Sequence, residues 1–156
     1  MTEIIPHLWY SDRAEEAASF YVSLLPGSRI DSVTTLPADS PSGPAGSVKV
    51  IELTLAGRPF MALQAGPLDP FNHAISLVVM CADQAEIDRL WQALSDGGAV
   101  ERCGWLKDRY GVSWQIVPAV LGAMMKDPDR PRAGRVARAM LGMVKLDIAA
   151  LQRAYG

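Results

Sequence analysis

A handful of polar side chains lie within short apolar alternating stretches, where they could hold a ligand oxygen, a metal ion or a proton. His7 lies in IIPHLWY, Glu52 in VIELT, Gln64 in FMALQ, Ser76 in AISLVV and Gln115 in SWQIV. An imidazole such as His7 or a carboxylate such as Glu52, placed in a cavity, could act as a general base. The same groups, joined by amide or imidazole partners, could hold a divalent ion that polarises a substrate oxygen. His73, the other histidine of the chain, stands three residues before Ser76. Trp9, Trp105 and Trp114 lie within or beside these stretches and could supply an aromatic wall.

Alternation decides which of these side chains share a face, because successive residues of a strand point to opposite sides. In Glu3–Tyr10, one row is Ile4, Pro6, Leu8 and Tyr10, and the other is Ile5, His7 and Trp9. With the first row against a helix, His7 and Trp9 turn toward a cavity. In Val48–Leu55 the more polar row is Val50, Glu52 and Thr54; in the return strand Pro59–Ala65 it is Ala62 and Gln64. In Val112–Val117 it is Ser113, Gln115 and Val117. The expected constellation is therefore His7, Trp9, Glu52, Gln64, Ser76 and Gln115, with Trp105 on the segment that leads into the last strand.

Helices must back these strands. Asp12, with Glu15 three residues on, has the spacing of a capping box, and Ala17, Phe20, Tyr21 and Leu24 follow on one stripe up to Pro26-Gly27. A strand over Arg29–Leu36 and a Pro, Gly and Ser-rich loop, Pro37–Ser47, come next, the loop expected to be mobile. The pattern then repeats. Asp83-Gln84-Ala85-Glu86 matches Asp12-Arg13-Ala14-Glu15 at an offset of 71 residues, which also sets Trp91 on Phe20 and Gly98 on Gly27. A single duplication predicts two pseudo-symmetric modules, at 1–66 and 73–118. From 119 to 156 the periodicity is helical: a short helix over Ala119–Lys126, a helix opened by Pro131 with Val136, Ala139, Met140, Met143 and Val144 on its stripe, and a last turn capped by Asp147. The Arg130, Arg132, Arg135 and Arg138 series reads as a solvated face.

Composition excludes several function classes. The formal net charge is −2, so nothing favours a nucleic-acid partner. Two cysteines, Cys81 and Cys103, make neither a disulfide framework nor a metal pair. No apolar run is long enough to span a bilayer, and Glu3 and Pro6 do not suit a signal peptide. A soluble cytoplasmic protein is expected, with no membrane association.

Four ordered blocks carry a family resemblance: IPHLWYSDRAEEAASFYVSLLPGSRI, ELTLAGRPFMALQAGP, AISLVVMCADQAEIDRLWQALSDGG and CGWLKDRYGVSWQIVP. They resemble the PhnB-like branch of the glyoxalase, bleomycin-resistance and extradiol-dioxygenase superfamily, also called vicinal oxygen chelate. The likeness is read across nearly the whole chain, tail included. It implies an α+β fold of two βαβββ modules, each a curved half-sheet cupping a cavity, with a C-terminal helical tail. It implies a small-molecule ligand and a homodimer, with modules exchanged between copies in many relatives. It also implies a divalent metal (Ni, Zn, Mn or Fe) held by His or Gln and Glu side chains on the first and last strands of each module. IELT looks like the Glu-bearing strand of glyoxalase I, and HAISLV resembles its HIALSV, so the implied ligands are Glu52, Gln115, His7 and His73. Glu52 and His7 are the implied proton-transfer groups. The alternative is a non-catalytic binding protein of the bleomycin-resistance type. Members of this branch often carry the label 3-demethylubiquinone-9 3-methyltransferase. Methyl transfer is the least favoured reading, because no strand here leads into a glycine-rich turn of the kind that admits S-adenosylmethionine.

Overall fold

The computed structural model describes all residues, 1–156, as two compact units, Met1–Asp69 and Pro70–Gly156. The first unit contains β1 (His7–Tyr10), α1 (Ala14–Leu24), β2 (Arg29–Thr35), β3 (Lys49–Leu55) and β4 (Arg58–Gln64). Its sheet has the order β1-β4-β3-β2, with β1 parallel to β4 and the other pairs antiparallel. One face is apolar and buried: Leu8, Tyr10, Ile51, Leu53, Leu55 and Ala62 meet Ala14, Ala17, Ala18 and Tyr21, the buried residues of α1. Small residues on the helix let its backbone lie close to the sheet, and the buried Tyr10 and Tyr21 hydroxyls hydrogen-bond each other at 3.1 Å.

The β3–β4 hairpin sets the register of this unit. Leu55 pairs with Arg58 across Ala56 and Gly57, both at positive φ (47° and 77°). Positive φ at both central positions is the geometry of a type I′ turn, whose twist matches that of the strands. It aligns Glu52 with Met61 and Ile51 with Ala62. The capping box expected at Asp12 does not form. Arg13 occupies the N-cap in the left-handed region without a side-chain bond, and Gln64 Oε1 accepts from Ala14 N–H at 3.1 Å instead. The Pro37–Ser47 loop is closed by its own bonds, among them Gly46 N–H to Leu36 O and Ala45 N–H to the Asp39 carboxylate.

The second unit contains β5 (Leu77–Cys81), α2 (Gln84–Ser95), β6 (Ala99–Val100), β7 (Trp105–Lys107) and β8 (Ser113–Pro118), followed by α3 (Leu121–Met125), α4 (Arg130–Leu141) and α5 (Ile148–Tyr155). The sheet order β5-β8-β7-β6, with β5 parallel to β8, repeats the first. Leu106, Trp114 and Ile116 are buried on the α2 side together with Ile87, Leu90 and Leu94. Here the cap forms as read: Asp83 accepts from Glu86 N–H at 2.8 Å, and Glu86 accepts from Ala82 N–H. The β7–β8 hairpin is longer and is organised by a side chain. The buried Asp108 carboxylate accepts from Tyr110 N–H, Val112 N–H and Trp114 Nε1–H.

The helical tail packs within this second unit. Leu121, Met124, Val136, Leu146 and Leu151 form its buried cluster, and Met125, Met140, Met143 and Tyr155 close around it. Helix α4 stops at Leu141, so Met143 and Val144 are not on its stripe; the segment after Gly142 leaves the helix and docks by main chain. Cys103 N–H donates to Met143 O and Gly104 N–H to Val144 O. Gly104 sits at φ +82° with no room for a Cβ, which would lie 2.9 Å from Ile116 O. Gln84 completes the dock, donating to Leu146 O and accepting from Ile148 N–H. The arginine series is only partly a solvated face. Arg132 and Arg135 donate to carbonyls at the end of α5, and Arg132 stacks 3.7 Å from the centre of the Tyr155 ring. The Tyr155 hydroxyl donates to Asp127, which holds that carboxyl below the usual carboxylate range.

Candidate functional site

In each unit the sheet face away from α1 or α2 carries the polar side chains, and strand register fixes its make-up. Directly paired residues share a face. In the first unit His7 pairs with Met61, Met61 with Glu52, and Glu52 with Ser32. These four form one row across all four strands. A second row runs Trp9, Leu63, Val50 and Thr34. His7 and Glu52 are exposed, and Trp9, Met61 and Leu63 are half-buried. The Glu52 carboxylate is turned to the β2 side, where Ser32 Oγ donates to it at 2.8 Å. The Trp9 indole donates to Gly66 O at 3.4 Å, which pins the ring beside the end of β4.

Gln64 is not on this face. The type I′ hairpin pairs even-numbered residues of β3 with odd-numbered residues of β4, so Ala62 and Gln64 fall on the α1 side. Gln64 pairs with Tyr10 and caps α1, a structural task. The side chains that β4 contributes to the open face are Met61 and Leu63. A two-residue turn with glycine second was visible at Ala56-Gly57, and counting across it would have found this parity.

In the second unit the matching row is Val78, Gln115 and Trp105. Glu101 N–H donates to Trp105 O, which extends the pairing by one step and brings Glu101 to the end of the row. Gln115 Nε2 donates to Ser76 Oγ at 2.9 Å. Val78 and Met80 are about half exposed on this face, at 50% and 54%. Ser113 lies on the same face at the hairpin end, buried, its hydroxyl without a hydrogen-bond partner. His73 is drawn to the far end of the row. Its Nε2 lies 2.6 Å from Glu101 Oε2, and its ring centre is 5.9 Å from that of Trp105. Glu101 escaped the sequence reading because β6 is two residues long and carries no alternation to read.

The donor set of each unit can be tested against the divalent ion that the resemblance implies. The last strand of the first unit is β4, not the β3 strand that carries Glu52, and its residue beside His7 is Met61, a thioether. The last strand of the second unit offers Gln115, a neutral amide already bonded to Ser76. His73 is engaged by Glu101, and Glu52 by Ser32. No group of three or more His, Cys, Asp or Glu side chains is arranged to hold an ion. Oxygen and nitrogen sites for such metals draw on several anionic or imidazole ligands at once. Neither unit by itself supplies a donor set that fits that group.

The family model of 3-demethylubiquinone-9 3-methyltransferase matches residues 2–117. A Bacillus cereus structure described as a putative 3-demethylubiquinone-9 3-methyltransferase, PhnB protein, is 34% identical. It covers 76% of this chain and 100% of its own, at a TM-score of 0.65. A Pseudomonas aeruginosa protein is 26% identical over 76% of this chain and 98% of its own, at 0.59. The fosfomycin resistance protein FosX of Listeria monocytogenes is 12% identical over 81% of this chain and 98% of its own, at 0.57, a likeness of fold. A Glu-to-Gln variant of that FosX is described in complex with Mn(II) and a dihydroxypropylphosphonic acid. No curated protein matches. The family model ends at residue 117, ahead of the helical tail.

Proposed function

Since this chain belongs to the PhnB-like family described as 3-demethylubiquinone-9 3-methyltransferase, a branch of the vicinal oxygen chelate superfamily, we propose that it binds a small molecule without a resident metal. The observation that carries this reading is the composition of the two open faces. Each has an aromatic ring, apolar neighbours and a few convergent polar groups: Trp9 with Met61 and the Glu52–Ser32 pair, and Trp105 with Val78 and the Gln115–Ser76 pair. That mixture suits an oxygen-bearing organic ligand, which needs one stacking surface and a few fixed hydrogen bonds. Each open face is then one wall of a ligand site, and a homodimer, with or without exchange of modules, is the proposed assembly. A monomeric mass in solution would remove the dimer from this reading.

Methyl transfer is not proposed. The connections from β1 to α1 (Ser11-Asp12-Arg13) and from β5 to α2 (Ala82-Asp83) contain no glycine, and each enters its helix with an ordinary side chain. A nucleotide-like cofactor needs close backbone approach at such a turn. Proton-transfer chemistry on the ligand is the second reading, favoured by the His73–Glu101 pair.

Tryptophan fluorescence titrated with a panel of planar hydroxylated compounds, with and without EDTA, tests the reading. The expected result is saturable quenching that EDTA leaves unchanged and that Trp9→Phe or Trp105→Phe reduces. Binding that requires an added divalent ion would overturn it.

A further inference from the structure

Glu101, His73 and Trp105 form an arrangement that neither a metal site nor a passive wall requires. Glu101 Oε2 engages His73 Nε2 at 2.6 Å, and the side chains are 30% and 53% exposed, so the pair is open to a small molecule. A carboxylate on one ring nitrogen fixes the tautomer: Nε2 carries the hydrogen, and Nδ1 is left with the lone pair. The Trp105 ring stands beside the imidazole, with centres 5.9 Å apart at an interplanar angle of 53°. It shares a row with Gln115, whose amide is held by Ser76. A base, a stacking surface and a fixed amide thus lie along one strip of the second unit.

We propose that this strip is a proton-accepting site for a planar ligand bearing an ionisable hydroxyl, of the phenol or enol class. This rests on the reading of the open faces as ligand walls. The ligand ring stacks on Trp105 and its hydroxyl donates to His73 Nδ1. The O–H bond breaks and an N–H bond forms. The ligand becomes a phenolate or enolate paired with the imidazolium, while Glu101 stays a carboxylate and stabilises the new positive charge. No redox partner or metal enters the step.

The probe is 4-nitrophenol, whose phenolate has its own visible absorption, with 4-nitroanisole as a control that has no proton to give. At about pH 7, above the ordinary histidine range and near the midpoint of 4-nitrophenol's own titration, wild-type protein should bind both compounds and raise the phenolate fraction of the first above that of the free compound. His73→Gln should abolish that rise while 4-nitroanisole still binds, and Glu101→Gln should diminish it. Trp105→Ala should weaken both by roughly two- to tenfold, the range of an aromatic contact. Equal phenolate uptake in His73→Gln and wild type overturns the proton-accepting site and leaves the ligand wall standing. Failure of both compounds to bind wild-type protein overturns the wall and the site together. With two histidines in the chain, ¹⁵N spectra resolve His73 directly. The Nε2–H tautomer is expected in wild type, and an Nδ1–H tautomer there contradicts the proposal.

Discussion

The two units share one strand order and answer the same geometric problem with different side chains. Across the open face, His7, Met61, Glu52 and Ser32 in the first occupy the places of Val78, Gln115, Trp105 and Glu101 in the second. The carboxylate of the first unit is on the third strand and bonds to a hydroxyl. That of the second unit follows the outer strand and bonds to an imidazole from the segment ahead of β5. The scaffold residues differ in the same way. One hairpin is held by backbone geometry at Ala56-Gly57, the other by the Asp108 carboxylate. One helix is capped from a distance by Gln64, the other by its own Asp83. The duplicated frame tolerates such exchange because what it requires is a satisfied donor or a fixed register, not a particular residue.

The largest difference between the units is expected at the hairpins. Asp108→Ala removes a buried carboxylate from two backbone N–H groups and the Trp114 indole. A loss on the order of 3 kcal/mol is expected, since hydrogen bonds to charged groups are strong and their buried donors lose a partner. Gly57→Ala in the other hairpin should cost only about 1 kcal/mol, the penalty for a side chain at positive φ. Urea unfolding of both variants measures the difference, and equal losses would contradict the contrast.

Gly98→Ala comes next. A Cβ there would sit 2.0 Å from Lys107 O, where β6 meets β7. The strands must part, with a loss of about 1–3 kcal/mol typical of overpacking. Because Glu101 follows β6 directly, the His73–Glu101 bond should loosen as well, visible as a shift of the His73 ring signals. The caps give a smaller effect. Gln64→Ala and Asp83→Ala should each cost about 1 kcal/mol in urea unfolding, the usual value of a lost N-terminal cap. Nothing in that range for Gln64→Ala would remove its structural role.

The smallest effect concerns the thiols. Cys81 is fully buried, and its thiol is pushed up from 9.0 to about 11, first by burial and then by Glu86. The folded state holds this proton more tightly than the unfolded state. Stability from this group is therefore intact below about 9 and falls as pH rises toward about 11. At pH 8 a thiol reagent should label one cysteine, Cys103, in the native protein and both after unfolding. Rapid native labelling of Cys81 would contradict its burial.

Much of this architecture is legible in the residues. Alternation in HLWY, VIELT and SWQIV gives the strands and the face of His7, Trp9, Glu52 and Gln115, and the Asp83–Glu86 spacing gives the second cap. Three things do not follow from alternation within one strand alone. Parity across the first hairpin reverses Gln64, because one residue of register exchanges the two faces of a strand. The strand that borders β1 is decided by sheet order, which places Met61 rather than Glu52 beside His7. Glu101 stands on no periodic stretch, and its partner His73 lies 28 residues away in sequence. Elements follow from local pattern; the site depends on pairings between segments far apart in the chain.

The proposal of binding without a resident metal rests on the donors of the outer pairs, where His7 stands beside Met61 and the Gln115 amide is bonded to Ser76. The direct measurement is the divalent-metal content of protein purified without chelator, beside a Met61→Glu, Gln115→Glu double variant that places carboxylates on both last strands. Substoichiometric metal is expected in the wild type and a gain in the variant. Stoichiometric metal in the wild type, lost on Glu52→Gln, would contradict it.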